Sequence, residues 1–462
     1  MSPQILNTIL DILLRGTMPH HMVGYTATPD EFAKYRLVIV PCEGCGLGTP
    51  QKAERNNGDC NREKAAFEGM EAVPQIKDWI KTGKYDTQGM PCNLPVLFGS
   101  KDVERIGDTV VVHSDVIATA YFFLFRIEER LNPKRDEHGR FPARESLAFR
   151  HGFMHRAVLD EYGEWLRGLL NLPNPNERIN KIYLTHDVDN VTLYRSVRGV
   201  LGAVKRSLTS IATPLNKPAD MGNELAAAWK AHTRSANSDP LFTFNDMMLW
   251  DNQVHNAQVI YFLKSNRRAQ SRYDRPVYGF NDIDVKLLRQ LISDNGYSIG
   301  WHSSYASAGN DEQTLIDLEA FKQECSLCGY NDTPWRLHRA HYLRNTHYDT
   351  LAQYGITDDF TLAFADMAGF RTGTCLPYKW LDTSLTIHPL TLMDVTLSEK
   401  RYMNLDYYGA YDYAKNMIQQ VRHFGGELNM LWHNNSFRTD TSSANPIPSY
   451  HRDLYPALLQ LL

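Results

Sequence analysis

Lys181-Ile-Tyr-Leu-Thr-His-Asp-Val-Asp189 is the stretch on which the reading of this chain turns. Its first four residues, Lys181 to Leu184, are rich in the β-branched and aromatic types that fill a buried strand. The next five turn polar. Asp187 and Asp189 stand two apart, so in extended backbone both carboxylates project to one side while Val188 packs on the other. Two like charges on one side of a strand end repel unless a cation or a base lies between them. One metal ligand beside one general base fits this pattern. A solvated Asx turn fits Asp-Val-Asp equally well.

Working outward, the segment after Lys181 alternates strand and helix. Gln258-Val-Ile-Tyr-Phe262 reads as a second strand and Tyr297-Ser-Ile-Gly-Trp301 as a third. Between them, Asn281 to Asp294 carries Ile283, Leu287, Leu288, Leu291 and Ile292 as a helical stripe closed by Asn295-Gly296. Glu312 to Cys328 is another helix, with Leu315, Leu318 and Phe321 expected inside and Gly329 as its cap. Repeated β-α units of this length point to an α/β layer or barrel, in which ligand groups gather just past the carboxyl ends of the strands.

Toward the amino terminus the pattern differs. Leu37 to Val40, Pro95 to Phe98 and Thr109 to Val112 read as short strands, and one helix is expected from Ser114 or Asp115 to Glu129, another over His155 to Leu170. Asn171-Leu-Pro-Asn-Pro-Asn-Glu177 has the composition of a linker. The expected division is an N-terminal accessory α/β domain over residues 1–176 and a barrel over 177–462.

Composition narrows the class. Over 462 residues, 43% are apolar and 22% charged, which excludes disorder and coiled coil as the main character. The net charge of −4 offers no basic field for nucleic acid or anionic lipid. The first residues lack a basic n-region, Asp11 interrupts their apolar stretch, and no run approaches the roughly 18 apolar residues of a membrane span. Seven cysteines argue against a disulfide framework, so the expected location is cytoplasmic. Cys42, Cys45, Cys60 and Cys92 fit either a four-thiolate metal site or reduced thiols in a Gly-rich loop. Cys325 and Cys328 read as core packing.

Three further segments fall after predicted strands: Gly300-Trp-His302-Ser-Ser-Tyr305, Trp335-Arg-Leu-His-Arg339-Ala-His341-Tyr342-Leu-Arg344, and Met430-Leu-Trp-His433-Asn-Asn435. Each has an ordinary structural explanation alone. Their shared position is what suggests a pocket.

In order, Thr185-His-Asp187-Val-Asp189, Gly300-Trp-His302, Arg339-Ala-His-Tyr342 and Leu431-Trp-His433 resemble the motif succession of the polysaccharide deacetylase (NodB-homology, carbohydrate esterase) family. The similarity is to a bacterial branch with Thr-His-Asp-Val-Asp and an extra amino-terminal domain. Asp115 to Glu129 and Ala365 to Pro377 extend it over most of the chain after Pro95. The resemblance implies a distorted (β/α) barrel of the NodB-homology type and a hydrolase that removes an N-acyl or O-acyl group from an amino sugar. By position, Asp187 would be the general base, Asp189 and His302 metal ligands, and Arg339 the partner of the base. The backbone N–H of Tyr342 would serve the oxyanion, and His433 would protonate the leaving amine. Asp359 is the first choice for the carboxylate orienting His433, with Asp394 its rival. Trp301, Tyr305, Tyr342 and Trp432 would line a saccharide groove.

Metal-binding members of that family show His-x-x-x-His, whereas the residue four after His302 is Ala306. Three readings follow. His341, standing where the family has a proline, supplies the third ligand to Zn2+ or another divalent ion. Alternatively, the site is metal-free, as in allantoinase-like relatives, or it is degenerate and only binds carbohydrate. Without a secretory leader, the expected substrate is a nucleotide sugar or lipid-linked precursor of a surface polysaccharide such as lipopolysaccharide or capsule, with no nucleic acid as partner.

Overall fold

Short apolar runs in the first part of the chain assemble a small sheet. Val23–Tyr25 (β1), Leu37–Ile39 (β2), Gly99–Ile106 (β3) and Thr109–Ser114 (β4) lie in the order β1-β2-β4-β3. The first three in that order are parallel, and β3 pairs antiparallel with β4. Pro3–Leu14 (α1) packs against Val116–Leu124 (α2) and Val158–Leu169 (α3). The computed structural model describes residues 1–43, 88–89, 94–195, 200–201, 204, 218–264, 269–330, 333–344, 347–438 and 450–462.

The helix expected to reach Glu129 stops early. Asp115 caps α2 by accepting from the Ala118 N–H at 2.8 Å, but Arg126 adopts φ 60° and a separate short helix, Ile127–Leu131, follows. Arg126 itself bonds Glu129 with Nε and donates from Nη2 to the Arg344 carbonyl at 2.7 Å.

The second sheet is the larger. Its strands are Lys181–Val188 (β5), Ala257–Leu263 (β6), Ser298–Ser303 (β7), Leu337–Ala340 (β8), Asp358–Asp359 (β9), Tyr378–Lys379 (β10), Thr386–Ile387 (β11), Leu392–Met393 (β12) and Glu427–Leu431 (β13). The spatial order is β10-β11-β9-β8-β7-β6-β5-β13-β12, parallel apart from β10, and the sheet is curled. Among its helices, Ile283–Asp294 (α4) and Asp311–Leu327 (α5) make the crossovers from β6 to β7 and from β7 to β8. This is the α/β arrangement that the sequence pattern predicts.

Three expected core positions point outward. On α5 the inward face runs through Thr314, Leu318, Phe321 and Cys325, so Leu315, one position off that line, is 39% exposed. On α4, Leu288 and Ile292 are buried while Ile283 and Leu287 are exposed.

Residue 176 separates the two sheets but not two cores. One apolar cluster runs from Ile5 through Phe122 and Leu166 to Trp301, Tyr378 and Leu459. Polar bonds stitch the same seam: the Tyr378 hydroxyl donates to the Leu124 carbonyl at 2.7 Å, and the Asp160 carboxylate accepts from the Cys375 N–H at 2.9 Å. Among the described residues, no helix is long and apolar enough to cross a membrane. Cys325 is buried as expected; Cys45, Cys60 and Cys92 lie outside the described residues, and with them the four-thiolate reading.

Candidate active site

Parallel register brings four distant segments level. β5 continues past Leu184 to Val188, so Asp187 lies inside the strand, opposite Phe262 of β6. Phe262 stands opposite Gly300, and His302 opposite Arg339. Thr185 pairs with Leu431, and Asp187 and His433 each lie two residues beyond that pair. Alternation then sorts the side chains. His302 faces the pocket and Trp301 the core; Arg339 faces the pocket and His338 the layer beneath.

Asp189, His302 and His341 each offer a ligand atom, all within 4.8 Å of one another. The His302 Nδ1–H donates to the Arg339 carbonyl at 3.0 Å, which fixes the ring with Nε2 on the Asp189 side. His302 Nε2 lies 3.4 Å from Asp189 Oδ1, and His341 Nε2 lies 4.0 Å from the same oxygen. Asp189 Oδ1 and His341 Nδ1 are buried without a hydrogen-bond partner. Burial pushes His341 down to about 4 despite Asp189, so it is a neutral imidazole at pH 7. Burial works to raise the Asp189 carboxyl, but His341, His302 and Lys264 outweigh it and hold it well below the usual range. A carboxylate and two imidazoles converging on one point suit a divalent ion, and three protein ligands is the usual complement of a catalytic zinc site.

Asp187 stands beside this group. Its Oδ2 is 3.8 Å from His302 Nε2 and its Oδ1 is 3.7 Å from Arg339 Nε. Arg339 is 2% exposed, donates from Nη2 to Thr185 Oγ1 at 2.8 Å and lies over the Phe262 ring at 5.1 Å. Asp187 Oδ1, Arg339 Nε and Arg339 Nη1 are buried without hydrogen-bond partners. On the other side, the His433 Nδ1–H donates to Asp394 Oδ1 at 2.8 Å, and the His433 backbone N–H donates to Asp394 Oδ2 at 2.8 Å. Burial disfavours the His433 imidazolium, but Asp394, with help from Asp187 and Asp189, raises it to about 9. The Tyr342 N–H has no hydrogen-bond acceptor among the described residues.

Three sequence expectations are corrected. Asp359 does not orient His433: it accepts from His338 at 2.6 Å and from Thr361, because β9 lies beside β8 and away from β13. Asp394, immediately after β12 and next to β13, does. Trp301 and Trp432 are fully buried and line no groove. Trp301 packs on His338 at 4.8 Å and Trp432 on Tyr455 at 5.2 Å, since the alternation that aims His302 and His433 at the pocket turns their neighbours away. Tyr305 and Tyr342 are half-buried at the rim, with rings 5.0 Å apart.

Sequence reasoning missed Lys264 and His138. Lys264 follows β6 directly, is 4% exposed and reaches to 3.9 Å from Asp189 Oδ1; its place after a predicted strand is the signal that could have found it. His138 lies in the chain between the short helix Ile127–Leu131 and α3 and packs on Tyr342 at 4.8 Å. Nothing local in its sequence announces that.

Residues 62–175 match the model of a family of unknown function (DUF7033), a stretch that includes His138 and ends before β5. No curated protein and no solved structure matches the chain.

Proposed function

We propose that this protein is a metal-assisted amidohydrolase that removes an N-acyl group from an amino sugar, as the resemblance to polysaccharide deacetylases implies. The observation that carries the reading is the convergence of Asp189, His302 and His341 within 4.8 Å, level with Asp187 and His433. A divalent ion held there would supply Lewis acidity toward the acyl carbonyl and toward water. Asp187 takes the proton of the attacking water, with Arg339 fixing its carboxylate. The Tyr342 N–H faces the developing oxyanion. As the C–N bond breaks, His433 gives its proton to the leaving nitrogen, and the products are a carboxylate and a free amine.

One observation favours a second reading. The Lys264 ammonium lies near Asp189 and would neutralise it without an ion. Metal analysis of the purified protein separates the two. Near-stoichiometric zinc, lost in His302→Ala and in His341→Ala, together with acetate release from N-acetylated amino sugars that Asp187→Asn abolishes, supports the first reading. Chelator-resistant turnover with no bound metal supports the second. Binding of sugars with no turnover in either state overturns both.

A further inference from the structure

The rim of the pocket carries a feature that acyl hydrolysis does not require. His138, 6% exposed, packs against Tyr342 at 4.8 Å, Tyr273 at 5.2 Å and Tyr305 at 6.1 Å. Its Nδ1 is buried without a partner, and its Nε2 is 3.3 Å from Glu137. Arg344 lies beside it. The Arg344 Cδ is 3.2 Å from where a Cβ on Gly139 would stand, its guanidinium covers the Tyr305 ring at 4.3 Å, and its Nε is also buried without a partner. Gly139 has φ +78°, so both its conformation and this close approach suit glycine alone. Arg272, exposed, covers the Tyr273 ring at 4.7 Å.

Charge balance separates these arginines from their neighbours. Arg140, over Tyr342 at 4.8 Å, is paired with Asp136, and Arg401 with Glu137 and Glu399. Arg344 Nη2 donates to the Tyr305 carbonyl and Arg272 Nη2 to the Tyr273 hydroxyl, but neither arginine has a carboxylate partner among the described residues. They flank the Tyr273–Tyr305 pair, whose rings are 4.5 Å apart. Tyr342 links this corner to the proposed metal group: its ring lies 5.0 Å from Tyr305 and stacks on His341 at 4.9 Å.

Two guanidinium groups on either side of a tyrosine pair match a ligand whose negative charge is spread over several oxygens. A phosphoryl or diphosphoryl group has that spread; a single carboxylate does not. We infer that Arg344 and Arg272, with His138 accepting from a sugar hydroxyl, form a subsite for a phosphoryl group carried by the substrate. The substrate class is then an N-acyl amino sugar phosphate or diphosphate, bound by loops from both parts of the chain. The inference rests on the proposed hydrolase reading for the position of the sugar, but it is tested by binding.

The test uses the full-length protein with zinc and calorimetric titration of N-acetylglucosamine, N-acetylglucosamine 1-phosphate and glucuronic acid. The phosphorylated sugar is expected to bind at least about ten-fold tighter than the neutral one or the carboxylate. Arg344→Gln and Arg272→Gln should each remove most of that preference with zinc content unchanged; Arg272 is exposed, so its variant carries the test if the other fails to fold. Equal binding of the neutral and phosphorylated sugars, or a preference that survives both substitutions, overturns the inference. A preference with no acyl release from any sugar leaves this subsite standing and removes the hydrolase. Acyl release with no preference does the reverse. Tighter binding of a nucleoside diphosphate sugar or of a polyprenyl diphosphate sugar supports the subsite and names the source of the phosphate.

Discussion

At the scale of single residues, His433 shows how neighbours set a proton's availability. Burial alone would strip the imidazole of its charge, yet Asp394, fixed by the His433 N–H and by Ser436, holds it protonated up to about 9. The general acid of the proposed hydrolase must start charged, and at neutral pH His433 does. Activity that depends on the charged form should therefore fall as pH rises through about 9. In Asp394→Asn that basic limb should move down by at least about one pH unit, with turnover reduced roughly 10²–10⁴-fold. A pH–rate profile of the two proteins checks both. The same shift acts on stability with a definite sign: a histidine raised above its unfolded value stabilises the fold fully below about 6.5, and that contribution disappears as pH passes about 9. If the limb stays in place in Asp394→Asn, the acid is another group.

At the scale of strands, the site depends on how closely β6, β7 and β8 are laid. Gly300 sits under Phe262: a Cβ there would come within 2.4 Å of the Phe262 ring and 3.2 Å of the Leu337 carbonyl. The same ring supports Arg339 at 5.1 Å, and Arg339 supports Asp187. Gly300→Ala should therefore destabilise by about 1–3 kcal/mol and displace Arg339 from Asp187. The expected result is a lower melting temperature and turnover reduced more than zinc affinity, since Asp189, His302 and His341 do not lean on that ring. Strand order also explains what the sequence made legible. Asp187, Asp189, His302, Arg339 and His433 each fall in a segment just past a predicted strand, and that shared position singles them out. The choice between Asp359 and Asp394 turns on which strand neighbours β13, and that neighbour is β12, two strands on from β10 in sequence but at the far edge in space. Linear sequence carries no such adjacency. The burial of Trp301 and Trp432 was readable from alternation once His302 and His433 were assigned to the pocket, and the pull of aromatic residues toward a sugar groove obscured it.

At the scale of the whole molecule, the first part of the chain is held to the second by buried charge as well as by apolar packing. Arg126, Glu129 and Arg371 form one cluster across the seam, with Arg371 Nη2 donating to Glu129 at 3.0 Å, and Glu128 lies within the same cavity lining. The two glutamates respond in opposite ways. Burial disfavours both carboxylates, but Arg126 and Arg371 overcome it for Glu129, which is held down to about 2. For Glu128 burial wins, and the carboxyl rises to about 8 while accepting from the Leu147 N–H. A carboxyl raised on folding is bound to more protons in the native state, so its burden on stability is absent below about 4.5 and grows as pH climbs toward 8. Glu128→Gln keeps an oxygen to accept from Leu147 and removes the ionisable proton. It should raise stability at pH 8 by at least about 1 kcal/mol and have almost no effect at pH 4, so the gap between variant and parent widens with pH. Glu129→Gln should act the other way: it leaves Arg126 and Arg371 buried without their counter-charge and should destabilise by about 3–5 kcal/mol at neutral pH. Because one core spans both sheets, this loss should appear as a single unfolding transition that takes the pocket with it, and denaturant curves followed by tyrosine absorbance and by zinc release should coincide. Two separated transitions, with zinc retained through the first, would show that the seam is not what holds the site in place.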